Sequence, residues 1–285
     1  MCPPGFLQAI SRGATRRGLI ARGLSSVAMA AAGSPALAAD APTGSPRKPG
    51  PAASTRTFSH VLDLSHTLYE GFPTFDGSKW FSMEAMYTFG QDKLNINRWT
   101  LVEHTGTHMD APLHFTSDGH SADEIPITDL IVPAAVINIA ERAQENPDTG
   151  VTPDDIKLWE AKNGPLPDGC CVIMNSGWHH LLETRRFAGR DEAGKNHCPG
   201  FHGETAHMLI IERNVKGLGV DTLSLDLGLN TGTFPTHYAW LGSGRWGVEC
   251  LANLDDLPPK GAYLVLGGPK VKRSTGGLTR VMALV

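Results

Sequence analysis

The chain has 285 residues, of which 41% are hydrophobic and 19% are charged, and its formal net charge at pH 7 is -4. This composition is that of a globular protein with a sizeable core. Basic residues do not outnumber acidic ones, so we do not expect nucleic acid or an anionic membrane surface as a partner. The 32 glycines and 20 prolines favour a sheet-based fold rich in loops over a helical bundle.

The N-terminal segment is typical of an exported protein. Arg16 and Arg17 form a twin-arginine pair, a weakly apolar, alanine-rich stretch follows, and small residues up to Ala38 offer a cleavage site. We therefore expect a signal peptide over residues 1–38, a periplasmic protein, and no membrane association after cleavage. A disordered extension and an organellar transit peptide are the alternatives. Residues 39–57 are rich in Pro, Gly and Ser, which predicts a disordered linker.

Residues 58–285 are predicted to form a single α/β domain around a mixed β-sheet. Strands are predicted in HVLDLSHTL, at residues 80–89 and 94–103, near 134–140, and in CCVIMNSGW, GLGVDTLSLD and YLVLGGPKV. Helices are predicted in TPDDIKLWEAKNG and ETAHMLIIERN. In the first of these helices, Thr152 is the expected N-cap, Pro153 opens the first turn and Gly164 ends the helix.

Three histidines and an aspartate crowd the run HTGTHMDAPLHF, which contains His104, His108, Asp110 and His114. A glycine and a proline inside the run oppose a helix, so we predict a strand that ends in a rigid loop. Imidazole and carboxylate ligands together suit zinc, manganese or iron. We therefore predict that His104, His108 and Asp110 bind a divalent metal ion. Loop histidines satisfied by ordinary hydrogen bonds are the alternative.

A distant part of the chain offers two further ligands. His237 lies in FPTHYAW, and Glu249 lies in WGVEC between two apolar residues. An unpaired carboxylate in such surroundings is costly. A metal ion would remove that cost, and so would an ion pair with Arg245, and the spacing leaves both explanations open.

The five cysteines do not specify a disulfide. Cys170 and Cys171 are adjacent, so they would point to opposite faces of a strand. We expect the cysteines of the folded domain to be buried as small apolar side chains.

The run HTGTHMDAPLHF resembles the HxGTHxDxPxHF signature of the cyclase family of metal-dependent hydrolases. This family includes bacterial kynurenine formamidases and, more distantly, isatin hydrolases. DLSHTLYEGFPTFDG, GVDTLSLD and DDLPPKGAYLVLGGPKV are similar to further family segments, so the resemblance covers roughly residues 60 to 285. It implies the family's swivelling β/β/α fold, a hydrolase activity on a small molecule, and a homodimer or homotetramer.

The resemblance also implies a metal-binding role for five residues. His104, His108 and Asp110 would bind a first ion, and Asp110 and Glu249 would bridge to a second ion whose site His237 completes. Isatin-type members have glutamine at the position of Glu249, so a carboxylate there favours a two-metal site. Zinc is the first expectation and manganese the second, with one or two ions per chain.

Four more residues receive roles from the resemblance. His114 would be the general acid/base, and Phe75, Asp221 and Ser224 would contact the substrate. For Asp221 and Ser224, capping of a turn is the alternative. Formamidase members carry a tryptophan where this chain has Phe75, which points away from kynurenine formamide itself.

The expected function is metal-dependent hydrolysis of a carbon–nitrogen amide bond in a small aryl formamide or cyclic amide. The ion would activate water and polarise the carbonyl, and His114 would carry a proton to the leaving nitrogen. Two alternatives remain: an ester or lactone hydrolase that uses the same site, and an exported metal-binding relative without catalytic activity.

Overall fold

The computed structural model describes residues 56–285, so the predicted signal peptide and nearly all of the predicted linker lie outside the described residues. The strands in the described part are β1 (Val61–Asp63), β2 (Phe81–Tyr87), β3 (Ile96–Leu101), β4 (His108–Asp110), β5 (Ile131–Asn138), β6 (Gly150–Val151), β7 (Cys170–Asn175), β8 (Gly200–Phe201), β9 (Val215–Val220), β10 (Trp246–Glu249), β11 (Lys260–Gly267), β12 (Gly276–Leu278) and β13 (Arg280–Leu284). The α-helices are α1 (Phe89–Asp92), α2 (Ala140–Glu145), α3 (Pro153–Asn163), α4 (Gly203–Glu212) and α5 (Pro235–Gly242).

Nine of the strands form one mixed sheet, in the spatial order β1-β13-β11-β5-β7-β9-β10-β4-β12. The four central strands β5, β7, β9 and β10 are parallel, whereas the pairings on both sides of them are antiparallel. The strands β2 and β3 form a separate antiparallel hairpin, and β6 and β8 form a short parallel pair. The predicted α/β domain around a mixed sheet is confirmed.

The sheet has a core on each face, and β7 contributes to both. Cys170 and Val172 pack into the first core, which α3, α4 and α5 cover. Cys171 and Ile173 point the other way, as alternation along a strand requires. The second core also contains residues of β4, β10, β11 and β13. Because these strands are far apart in the sheet, the sheet must curl around this core.

Several local predictions are confirmed. Thr152 caps α3 in a reciprocal capping box with Asp155, and Gly164 ends the helix with a φ of 85°. The four cysteines among residues 56–285 are buried and free. The first strand is shorter than predicted: it ends at Asp63, and Leu64 is buried in the second core. Within residues 56–285, no helix is both long enough and apolar enough to span a membrane.

Candidate metal centre and catalytic cavity

The predicted metal ligands lie on two antiparallel neighbouring strands, β4 and β10. In the register of this pair, His108 lies opposite Glu249 and Asp110 lies opposite Gly247. Alternate residues of a strand share a face, so these three side chains project to the same side of the sheet. A Cβ atom on Gly247 would come within 2.7 Å of Leu225 and 3.4 Å of the Asp110 carboxylate. The glycine therefore leaves room for the carboxylate.

A tight turn before β4 orients the first two histidines. Gly106 has a φ of 66°, a left-handed conformation that glycine adopts without strain. The Gly106 carbonyl lies 2.8 Å from His108 Nδ1, so this nitrogen carries the proton and donates it. The Nε2 atom of His108 then faces Asp110 Oδ1 and Glu249 Oε2, each at 3.4 Å. The run therefore folds as predicted, as a short strand next to a rigid turn.

His104 reaches the cluster from the other side of that turn. Its Nδ1 atom lies 2.7 Å from Asp110 Oδ1, and its Nε2 atom lies 2.9 Å from Thr275 Oγ1. The Thr275 hydroxyl in turn donates to a Glu103 carboxylate oxygen at 2.5 Å. Both nitrogens of His104 are thus held by neighbours, and Nδ1 is the one that faces the metal-ligand cluster.

His237 lies in the first turn of α5 and completes the cluster. Its Nε2 atom lies 3.2 Å from Glu249 Oε1 and 3.7 Å from Asp110 Oδ2. The alternative partner for Glu249, Arg245, points elsewhere and donates to the Val215 carbonyl at 2.8 Å. The structure therefore brings together all five predicted ligands, from the histidine-rich run and from the distant segment.

The carboxylates divide the cluster into two halves. Asp110 directs Oδ1 toward His104 and His108, and Oδ2 toward His237. Glu249 divides in the same way, with Oε2 toward His108 and Oε1 toward His237. Each carboxylate therefore contacts histidines of both halves of the cluster.

The buried ligands attract positive charge. His108, Asp110, His237 and Glu249 are at most 4% exposed. Burial disfavours protonated histidine, but Asp110 and Glu249 outweigh it and raise the pKa of His108 to about 9. For His237 burial is likewise outweighed, by Asp226 and Glu249, and the pKa rises to about 10. His104 and His108 hold the pKa of Asp110 well below its ordinary value against the effect of burial.

Two buried atoms of the cluster have no hydrogen-bond partner in the described part of the chain: His108 Nε2 and Asp110 Oδ2. Buried polar atoms are almost always paired, so these two require an explanation. A divalent cation accepts both an imidazole nitrogen and a carboxylate oxygen as ligands. The residues therefore fit a divalent metal ion, as predicted.

His114 lies beside the cluster, at the end of the 3-10 helix Pro112–His114. Its ring stacks on His104 with centroids 3.8 Å apart and lies 6.1 Å from the ring of His237. Burial lowers the pKa of His114 to about 4, so the ring is neutral at pH 7 and can accept a proton. One ring nitrogen of His114 also lies within 4.8 Å of a ring nitrogen of His104 and of a carboxylate oxygen of Asp110. This is close enough for a direct role in metal binding.

A cavity of about 320 Å³ opens above the cluster. This volume is at the lower end of small-molecule sites and suits a one- or two-ring compound. Most of its walls are aromatic and aliphatic, and two of the predicted substrate contacts, Phe75 and Ser224, are among the lining residues. The cavity is lined by Phe75, Trp80, Val102, His104, His108, His114, Phe115, Leu223, Ser224, Phe234, His237 and Glu249.

Asp221 lies outside this cavity, which corrects the prediction that it contacts the substrate. Its side chain is fully buried and accepts hydrogen bonds from the backbone N–H groups of Ser176 and Trp178 and from the Ser176 hydroxyl. These bonds fasten the turn after β7 to the end of β9. The placement matches the turn-capping alternative.

Phe234 forms part of the cavity wall and was not predicted from the sequence. Phe234 is the N-cap of α5 and has left-handed backbone angles, φ 43° and ψ 51°. This conformation costs a residue with a Cβ atom about 1–2 kcal/mol. It places the ring 5.9 Å from Phe75 and 5.6 Å from Phe115. The strained residue thus lies at the cavity wall. A residue before a proline is expected to be extended, so the sequence offered no signal for this conformation.

The sequence analysis also missed the role of Asp226. Its carboxylate accepts hydrogen bonds from the backbone N–H groups of Thr236 and His237, at 2.7 and 3.0 Å, and lies 2.7 Å from His237 Nδ1. It therefore caps α5 and holds the proton on Nδ1, so that Nε2 faces the metal-ligand cluster. Carboxylates in this position orient metal-binding histidines.

Replacing Asp226 by asparagine is expected to lower metal affinity by roughly 10- to 100-fold, the range for outer carboxylate partners of ligating histidines. Chelator competition on the purified protein measures this affinity. Asp155→Asn is the matched control, because the Asp155 carboxylate accepts a hydrogen bond from the Thr152 backbone N–H at the start of α3 and contacts no residue of the cluster. Equal affinities of the two variants would show that Asp226 serves only as a helix cap.

The chain is similar to known proteins over most of its described length. Residues 62–227 match the model of the Cyclase family, described as "Putative cyclase". Isatin hydrolase from Roseibium aggregatum is 35% identical over 198 residues, which are 66% of this chain and 74% of that protein. Kynurenine formamidase from Salinibacter ruber is 29% identical over 211 residues, which are 73% of this chain and 89% of that protein.

Solved structures show the same fold. Isatin hydrolase A from Labrenzia aggregata, bound to benzyl benzoate, aligns with a TM-score of 0.74 and 35% identity, over 79% of this chain and 93% of that one. The family resemblance and the fold predicted from the sequence are therefore confirmed. Together, the matching family model, the relatives and the fold show that the chain belongs to the Cyclase family.

Proposed function

We propose that the protein is a metal-dependent hydrolase that cleaves the carbon–nitrogen bond of a small aromatic amide, with a cyclic amide or an aryl formamide as the substrate. At the level of reaction class, the prediction of a hydrolase acting on carbon–nitrogen bonds other than peptide bonds is confirmed by relatives named isatin hydrolase and kynurenine formamidase. The substrate and the roles of individual residues are our proposal.

One observation carries this proposal: an aromatic-walled cavity ends on a buried cluster of metal ligands. Phe75, Trp80, Phe115 and Phe234 line the cavity, and the imidazoles and carboxylates lie at its base. Aromatic walls favour a flat aromatic molecule by burial and by ring packing. The cavity volume of about 320 Å³ is sufficient for a bicyclic amide.

His104, His108, Asp110, His237 and Glu249 would hold the metal. A bound divalent ion supplies Lewis acidity, which lowers the pKa of water and polarises a carbonyl group. In the reaction, water adds to the carbonyl carbon, the carbon–oxygen bond forms and the carbon–nitrogen bond breaks.

The neutral ring of His114 accepts the proton that water loses and delivers it to the leaving nitrogen. The ring is in a suitable place for this transfer, since it lines the cavity and stacks on His104. The hydrophobic walls exclude bulk water and thereby strengthen these polar interactions.

The proposal is tested with matched substrates. The metal-loaded protein is assayed on isatin, on formanilide, and on the corresponding lactone and formate ester. Because esters are intrinsically more reactive, the quantity compared is the rate enhancement over the uncatalysed reaction. We expect the larger enhancement for the amides, its loss on chelation, and its return with zinc or manganese.

Two outcomes would contradict the proposal. A larger enhancement for the lactone or the ester would favour the esterase alternative. A metal-saturated protein that is inert toward the whole panel would favour the non-catalytic, metal-binding alternative.

We propose that the catalytic cluster holds two ions in each chain, with zinc first and manganese second. The division of both carboxylates between two sets of histidines supports this stoichiometry. Elemental analysis of the purified protein tests it, and a fully active protein with one ion per chain would contradict it.

We also propose a homodimer or homotetramer that is formed through the β2–β3 hairpin. Met83, Phe89 and Trp99 lie in or next to this hairpin and are 48%, 62% and 60% exposed. Exposed apolar side chains at this density are typical of association surfaces. Trp80 and Val102, which flank the hairpin, line the cavity, so a second copy would sit beside the cavity mouth. A monomeric mass in sedimentation experiments would contradict this proposal.

We propose further that residues 1–38 direct export and that the mature protein acts in the periplasm. The twin-arginine pair and the small residues before Ala38 support this. N-terminal sequencing of periplasmic protein tests it, and an uncleaved N-terminus in the cytoplasmic fraction would contradict it.

A further inference from the structure

Two histidines and an aspartate meet outside the catalytic cavity. His179 and His180 lie in the 3-10 helix Trp178–Leu181, just after β7, and Asp255 lies in the 3-10 helix Leu254–Asp256, just after β10. Asp255 Oδ2 lies 2.6 Å from His180 Nε2 and 3.7 Å from His179 Nε2. Ligand atoms of all three residues lie within 4.8 Å of one another.

The state of His179 distinguishes this group from an ordinary surface ion pair. Its side chain is only 4% exposed, and its Nε2 atom has no hydrogen-bond partner in the described part of the chain. Its Nδ1 atom lies 3.2 Å from Asp221 Oδ2. The carboxylate of Asp221 holds the proton on Nδ1, so Nε2 presents a lone pair toward Asp255. A buried lone pair that faces a carboxylate oxygen is unfavourable unless a cation lies between them.

The orientation of Asp255 also favours a cation at this position. Its Oδ1 atom accepts a hydrogen bond from the Asn175 amide at 3.0 Å, which directs Oδ2 toward the two imidazoles. A simple contact between His180 and Asp255 would require neither the buried His179 nor this orientation.

We propose that His179, His180 and Asp255 form a metal site separate from the catalytic cluster, for a divalent transition-metal ion of the zinc class. Two imidazoles and one carboxylate are a ligand set that zinc accepts, and solvent supplies the remaining position. His180 and Asp255 have side chains 64% and 52% exposed, so the ion can exchange with solution. Asp221 is the outer carboxylate that orients His179, as in other metal sites.

The ion would be structural, because it would join the turn after β7 to the turn after β10. None of its three ligands lines the catalytic cavity. The inference therefore does not depend on the proposed amide hydrolysis, and the two can fail separately.

Titration calorimetry with Zn²⁺ tests the site on the full-length protein that already carries its catalytic metal. We expect one additional Zn²⁺ per chain in the unchanged protein, and a higher midpoint of thermal unfolding when it binds. His180→Ala and Asp255→Asn should lose the additional ion and the rise in midpoint. Both variants change exposed side chains, so they avoid the folding risk of a change at buried His179.

His207→Ala is the matched control, because His207 is an exposed histidine on α4. This variant should keep the additional ion. The inference is overturned if the unchanged protein binds no additional Zn²⁺, or if His180→Ala and Asp255→Asn bind as much as His207→Ala does. Activity with the catalytic metal should be equal in all four proteins, which separates a failure of this site from a failure of the catalytic one.

Discussion

Replacement of His114 by asparagine is expected to lower kcat by roughly 10²- to 10⁴-fold, the range for loss of a general acid or base. The variant lacks the imidazole ring that would carry a proton between water and the leaving nitrogen. Asparagine retains a polar side chain of similar reach, so the cavity should keep its shape. Steady-state kinetics on the best amide measures the loss, and elemental analysis measures the metal content, which should not change.

The metal content decides between two roles for His114. Its ligand atom lies within 4.8 Å of those of His104 and Asp110, so a ligand role is geometrically open. If His114→Asn loses metal in proportion to activity, His114 is a ligand and not a proton carrier. His207→Asn, an exposed change of the same type, should keep both properties.

Replacement of Asp110 by asparagine is expected to remove metal and activity together. Asp110 is 1% exposed and contacts histidines of both halves of the cluster. Without its charge, metal affinity should fall by at least about 100-fold, the upper end of the effect of changes outside the ligand shell. On the same preparation, elemental analysis measures the metal content, chelator competition measures the metal affinity, and steady-state kinetics measures the activity.

A matched control separates this effect from a general loss of carboxylate charge. Asp154 lies in the first turn of α3 with its side chain 83% exposed, and Asp154→Asn should keep full metal content and activity. An Asp110→Asn protein that retains full activity after chelation would refute the metal-dependent mechanism as a whole. Circular dichroism should show that both variants are folded.

The local part of the site could be predicted from the sequence because its residues are close together in the chain. His108 and Asp110 alternate along β4 and therefore share a face, and Gly106 provides the turn that returns His104 to them. The conformation of this run follows from its own residue types. The placement of His237 and Glu249 rested on the family resemblance, because the pairing of β10 with β4 is a long-range contact.

Most of the apolar part of the cavity wall could not be predicted, because it is assembled from segments far apart in the chain. Trp80, Phe115 and Phe234 meet only after the sheet has formed and α5 has packed beside β10. Helix α5 was not predicted from the sequence. It has only eight residues, and the carboxylate that caps it, Asp226, lies nine residues before its first residue. Such partners are visible only in the folded chain.

The segment GVDTLSLD contributes both to the catalytic cavity and to the separate group of His179, His180 and Asp255. Asp221 fastens the turn that carries His179, Leu223 and Ser224 line the cavity, and Asp226 holds His237 in place. One inserted or deleted residue would put these contacts out of register together. Changes in substrate range should therefore accumulate in the loop of Phe75 and Trp80, which lines the cavity and contains no residue of either group of histidines.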